Sequence, residues 1–293
     1  MVRNNANHFL FMLLSAIILR LLSNPFANVL QKKLVSKGVD ASFVNFLTYL
    51  FLGLVSVPAF FFCDKTFTVE FWSYCVLGGA LGAFANFFMV RALELSDLSV
   101  LGPINAYKSL VGILFGVLLL GEFPTFLGLS GVIMIIAGSY FLTDTPSKRF
   151  SFDLFRQRGI RYRFYALFLS AIESIFIKKV ILLTSEYVAF SSWACFGCLF
   201  TLLIAKRRNT SDTLSMPLIL KVLTISLLFG IMQLSTNFVF AKMNVGYALA
   251  IFQLSGVISV LLGFLFFKER HIFRKLFASL IMCVGAGITF VGL

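Results

Sequence analysis

Ten apolar stretches, each long enough to cross a bilayer, fill almost the whole chain. A hydrocarbon core of about 30 Å takes about 20 helical residues to span. In lipid, only helices and closed barrels satisfy every backbone polar group internally. The stretches are too long for barrel strands. The chain therefore reads as an all-α polytopic membrane protein of ten transmembrane helices. The expected spans are His8–Gln31, Ala41–Phe62, Phe71–Leu93, Leu98–Leu120 and Phe123–Leu142, then Arg163–Thr184, Tyr187–Ala205, Met216–Ala241, Gly246–Phe267 and His271–Leu293. Charged residues make up only 13% of the chain, about half the share of a soluble domain. The 293 residues leave no room for a sizeable soluble domain, and the first stretch lacks a small-residue cleavage site.

The two sets of five resemble each other. NVLQKKL ends the first helix with Lys32 and Lys33, and SIFIKKV in the sixth carries Lys178 and Lys179. In the third and eighth helices, NFFMVRA and NFVFAKM set Arg91 and Lys242 five residues after Asn86 and Asn237. LLLGEF closes the fourth helix on Glu122, and LFFKER closes the ninth on Glu269. A late Ala-Gly follows in each half, at Ala137-Gly138 and Ala286-Gly287. Matches in the same order argue for an internal repeat. Five is odd, so a second copy of a five-helix unit enters the membrane upside down. Substrate sites in such inverted repeats lie near the midplane where the halves meet. The expected organisation is a first repeat over 1–142, a basic polar connector over 143–162 and a second repeat over 163–293.

On these motifs the chain resembles the drug/metabolite transporter superfamily, within it the EamA-like ten-helix transporters. The marks are Gly121-Glu122, Lys268-Glu269 and the paired lysines of helices one and six, and the likeness covers nearly the full length. Where that family often has a Pro before the Glu, this chain has Ser109 and Gly256. The resemblance implies secondary transport of a small polar metabolite such as an amino acid, nucleoside, nucleotide sugar or adenosylmethionine-like compound. It also implies a multi-pass protein of the bacterial inner membrane with both termini cytoplasmic.

Charges near the bilayer centre are rare and face a cavity or a partner. Arg20, Lys108 and Glu173 lie there. The two cations favour a substrate bearing a carboxylate or phosphate, since Arg grips such groups in a fork and Lys as a point charge. Glu173 is open to three uses: a structural pair with Arg20, a substrate amine, or a coupling proton. Asn105 shares a helical face with Lys108, and Tyr107 is its neighbour. Asn86, Gln233, Asn237 and Gln253 are intramembrane amides that must point inward. Each could serve equally as glue between helices.

The sequence carries no metalloprotease, P-loop or dinucleotide fingerprint. No catalytic residue, metal or cofactor is expected, so the reading is not an enzyme, and transport is not driven by the chain's own ATP site. Cys195 and Cys198 form a lone C-x-x-C inside an apolar run, without the further ligands that zinc requires. The competing classes are a lipid-modifying membrane enzyme and a non-transporting scaffold. The expected partners are the lipid bilayer, a small polar substrate and a coupling proton or counter-substrate, with no nucleic acid. A monomer suffices to enclose a pathway, though an oligomer is compatible. Net charge is +13. With the spans above, 18 cations fall on odd-numbered connections, and Arg3, Lys65 and Lys242 fall on the opposite side. The positive-inside rule then places both termini outside the cytoplasm, against the family's usual orientation.

Overall fold

The computed structural model describes residues 2–62, 67–96, 101, 104–141, 157–205, 216–258 and 272–292. Ten α-helices occupy them: α1 Val2–Val35, α2 Ala41–Ser56, α3 Val69–Leu95, α4 Lys108–Leu120, α5 Phe126–Phe141, α6 Arg158–Leu183, α7 Glu186–Ile204, α8 Met216–Lys242, α9 Val245–Ile251 and α10 Ile272–Val291. No strand occurs among the described residues. Five helices are long and apolar enough to cross a membrane: Leu10–Val35, Ala41–Phe60, Val69–Leu95, Glu186–Ile204 and Met216–Lys242. Ile104–Leu120, Phe126–Ser139, Val245–Ile258 and Leu280–Val291 are shorter apolar helices. At 26 residues, α6 is long enough, but it carries six charges, from Arg158 to Lys179. The protein is an integral membrane protein.

Local sequence explains most helix boundaries. Asp40 caps α2, its carboxylate accepting the Ser42 amide at 2.8 Å and the Phe43 amide at 3.3 Å. Partial burial pushes that carboxyl upward, but these hydrogen bonds and nearby Arg91 outweigh it and hold it below the usual carboxylate range. Thr68 and Ser185 cap α3 and α7 in the same way. Pro58 turns the end of α2 into a 3-10 segment, Val57–Phe60, inside the expected second span. The fourth helix ends because Gly121 takes up the left-handed conformation at φ 68°, which costs glycine nothing. The Glu122 amide then reaches back to the Gly116 carbonyl at 3.1 Å.

One expected boundary differs most. The sixth helix starts at Arg158, so the last residues of the expected connector are helical and Arg163 lies buried within the bundle. Residues 143–156 and the Lys268-Glu269 pair lie outside the described residues.

The principal packing partners are α3 with α6, α1 with α8, α5 with α10, α2 with α7, α3 with α7, and α4 with α9. Every one of these pairs joins the first half to the second. Exchanging the halves turns α3–α6 into α8–α1 and α3–α7 into the less extensive α8–α2, and returns the other three pairs to themselves. Smaller features repeat too. Arg91 lies over the Phe87 ring at 5.6 Å, and Lys242 over Phe238 at 5.8 Å. Lys32 donates to the Ser96 carbonyl at 3.5 Å, and Lys178 to the Met243 carbonyl at 2.9 Å. The face of α3 that carries Gly78, Gly79 and Gly82 meets α6 and α7.

Candidate functional site

A cavity of about 140 Å³ opens between the halves. A single water needs only about 10–15 Å³ of such space, so a solute fits. Its walls follow helical spacing. Arg20, Asn24 and Asn28 recur every fourth residue on α1; Gly82, Ala85, Asn86 and Met89 form the α3 wall. Arg163, Ala166, Ser170, Glu173, Ser174 and Ile177 form one face of α6, and Phe229, Met232, Gln233, Thr236 and Phe240 one face of α8. Tyr49, Trp193, Asn105, Lys108, Leu249, Phe252, Gln253 and Ser255 complete the lining. Helices α5 and α10 pack on each other, and none of the described lining residues belongs to them. The turn of helix before α4, 104–106, brings Asn105 to the wall.

Three cations, Arg20, Lys108 and Arg163, face the cavity against one carboxylate, Glu173. Arg20 donates its Nε–H to the Thr236 hydroxyl at 2.8 Å, and its guanidinium lies 4.9 Å from the centre of the Phe252 ring. Its Nη1 has no hydrogen-bond partner. Glu173 accepts the Trp193 indole N–H at 2.6 Å. The expected Arg20–Glu173 pair is corrected on this point, because no ion pair within 4 Å joins them among the described residues. Equal depth was not enough: Thr236 and Trp193 stand closer and take the hydrogen bonds. The cation that acts on Glu173 is Lys108. Lys108 itself makes no hydrogen bond and no ion pair within 4 Å among the described residues.

Glycine lets this arrangement close. A Cβ on Gly82 would lie 2.5 Å from both Glu173 Oε1 and Trp193 Nε1. The α3 backbone thus seals one side of the hydrogen bond between them. Tyr49 packs against Trp193 with ring centres 4.7 Å apart, and its buried hydroxyl has no partner. Arg163 is largely engaged, donating to the Leu101 carbonyl at 3.3 Å and to Met89 Sδ.

Seven of the nine sequence candidates come together here: Arg20, Lys108, Glu173, Asn105, Gln253, Asn86 and Gln233. Two do not. Tyr107 points the other way round its turn and packs on the cluster of Ile104, Ile160 and Leu167. Asn237 is fully buried, accepting from the Gln233 amide at 3.0 Å and donating to the Glu186 carbonyl at 3.0 Å. It ties α8 to the start of α7. Asn86 is likewise paired, with Asn45 of α2, and the Asn105 amide donates to Gln253 at 2.8 Å. Sequence reasoning passed over Asn24, Asn28, Tyr49, Arg163 and Trp193. The first two were recoverable from their four-residue steps beyond Arg20. The aromatic residues carried no signal among the many rings of the chain.

Cys195 and Cys198 are free thiols on α7. Among the described residues no group of three or more His, Cys, Asp or Glu is placed to hold a metal ion.

Comparison with known proteins adds a family. The family described as Sugar transport protein matches residues 16–292. A solved structure described as "Crystal structure of protein" superimposes with a TM-score of 0.73 at 18% identity, covering 96% of this chain and 96% of that one. At that identity the likeness shows the fold. No curated protein matches the sequence.

Proposed function

The chain belongs to the Sugar transport protein family, a family of membrane transporters, and from that premise we propose that it is a secondary transporter of a small solute bearing a carboxylate or phosphate. The carrying observation is the cavity's charge, three cations against one carboxylate, with Lys108 and Arg20 Nη1 holding donors that no protein group uses. Donors with no protein acceptor, in a cleft lined by an excess of positive charge, favour an anion. The cavity lies between two halves whose packing pairs exchange, and this supports ten spanning helices in two inverted five-helix repeats, of the drug/metabolite transporter kind. The polarity of α6 then reflects the cavity face it presents, not a failure to cross. The test is uptake into proteoliposomes of D-glucuronate, glucose 6-phosphate, D-glucose and D-glucosamine. The anions should enter severalfold faster than the neutral and cationic sugars. Preference for glucose or glucosamine would overturn the anion reading.

Orientation follows the flanking charges. Arg163 belongs to the bundle, so 17 cations remain on the connections that include residues 36–40 and 143–157, against three opposite. We place that side in the cytoplasm, most simply of a bacterial inner membrane, and both termini outside. A cysteine introduced by Ser151→Cys should resist a membrane-impermeant thiol reagent in intact cells and react after permeabilisation. Reaction in intact cells would reverse the assignment.

A further inference from the structure

Six carboxamide side chains line the cavity, and four are satisfied by the protein. Asn86 pairs with Asn45, Gln233 with Asn237, and Asn105 with Gln253. Asn24 and Asn28 are different. Neither makes a hydrogen bond among the described residues, though both line the cavity and are half-buried. An amide at this depth with neither its N–H groups nor its carbonyl used is costly unless something polar meets it. These two residues follow Arg20 at successive four-residue steps, on one face of α1, each step rising about 6 Å along the axis. Arg20 Nη1 is also without a partner. The unused cavity-lining polar groups of α1 thus form one line: an anion donor, then two amides that both donate and accept.

We infer that Asn24 and Asn28 form a hydroxyl-binding subsite beside the Arg20 anion anchor, so that the transported solute is a hydroxylated anion of the sugar-acid or sugar-phosphate class. This rests on the anion reading above and extends it. A hydroxyl donates one hydrogen bond and accepts others, and a carboxamide offers the complementary pair. A carboxylate or phosphate held at Arg20 sets the adjoining hydroxyls of a six-carbon sugar at the level of Asn24. Asn28 lies one turn further, within reach of the far end of the ring or of a bridging water. A simple carboxylate lacking hydroxyls would fill the anchor but leave both amides unpaired, which penalises it.

The experiment is calorimetric binding to the purified full-length protein in detergent. The probes are D-glucuronate, cyclohexanecarboxylate and D-glucose. The first two share a six-membered ring and a carboxylate and differ in hydroxyls; glucose keeps hydroxyls without charge. The unmodified protein should bind glucuronate about tenfold or more tighter than cyclohexanecarboxylate, the weight of one or two hydrogen bonds. The N24L/N28L variant should lose that preference, with glucuronate falling to the level of cyclohexanecarboxylate and the latter unchanged. The N24S/N28S variant, which keeps small polar groups, should retain part of it and covers the case in which the leucine variant does not fold. Equal affinities for the two anions in the unmodified protein would overturn the subsite and leave the anion reading standing. Equal loss for both anions in both variants would also overturn it, since that marks a structural role. Binding of glucose with neither anion would overturn both the subsite and the anion reading.

Discussion

Lys108→Met is expected to bring anion uptake down by about 10- to 100-fold, the weight of one charge-assisted hydrogen bond of roughly 1.5–3 kcal/mol. Folded yield and unfolding midpoint should stay level. The two halves of this expectation come from the same observation. Lys108 lines the cavity without a hydrogen bond or close ion pair among the described residues, so its ammonium gives up no short contact, only its longer-range attraction to Glu173. What is lost is a donor aimed at the solute. Methionine keeps the length and apolar stem of lysine, so the packing around Gly112 and Ile104 on the same helix is spared. Lys108→Arg should keep a measurable share of transport, because charge and donors remain while their placement shifts. The measurement is initial uptake into proteoliposomes at matched protein density, with each anion tested above. Full transport by Lys108→Met would remove Lys108 from the site, whatever the solute.

A second large effect is expected away from the cavity, where Glu122 and Lys178 form a buried ion pair. The positive-φ Gly121 turns the chain so that Glu122 reaches α6. One carboxylate oxygen meets Lys178, and the other accepts the Val245 amide at 2.7 Å. Lys178 also donates to the Met243 carbonyl at 2.9 Å. A single pair therefore fastens the end of α4, the last third of α6 and the α8–α9 turn. Side-chain exposure of 12% and 11% places it in the regime where stranding one charge costs about 3–5 kcal/mol. Glu122→Gln and Lys178→Met should each lower the denaturant midpoint sharply. The double variant should be less damaged than the two losses added together, since neither charge is then left alone. Strict additivity would mean that the two residues act separately. Neither residue lines the cavity, so glucuronate affinity in whatever folded protein remains should be nearly unchanged.

Much of this molecule was legible along the chain because bilayer physics is severe. An apolar run of about 20 residues admits one structure, and the described ends of α2, α3, α7 and α8 fall close to where hydropathy and capping residues put them. Cavity residues were legible where cost made them conspicuous. Arg20, Lys108 and Glu173 had no reason to sit at mid-span unless they faced something polar, and all three do. The cations five residues beyond Asn86 and Asn237 share a local setting, each lying over the aromatic ring that follows the Asn. The likeness between the two segments does not extend to the asparagines themselves. Asn86 lines the cavity while its counterpart Asn237 is spent on the Glu186 carbonyl. Equivalent positions in two halves need not face equivalent neighbours once each half has its own side chains.

The sequence by itself determined the class of molecule, the order of its helices, the sites of its helix caps and the small set of polar residues that had to be buried. Each follows from a local cost: an unsatisfied backbone in lipid, an orphaned amide at a helix end, a charge far from water. Only the tertiary structure decided the pairings. It joined Glu173 to Trp193 and not to Arg20, gave Lys108 no hydrogen bond among the described residues, gave Glu122 to Lys178, and turned Tyr107 away from the cavity. A hydrogen bond requires about 3 Å between atoms, whereas sequence constrains a side chain only to a helix face and a depth. Several partners fit within that latitude. The packing of α1 on α8, α3 on α6 and α3 on α7 chose among them.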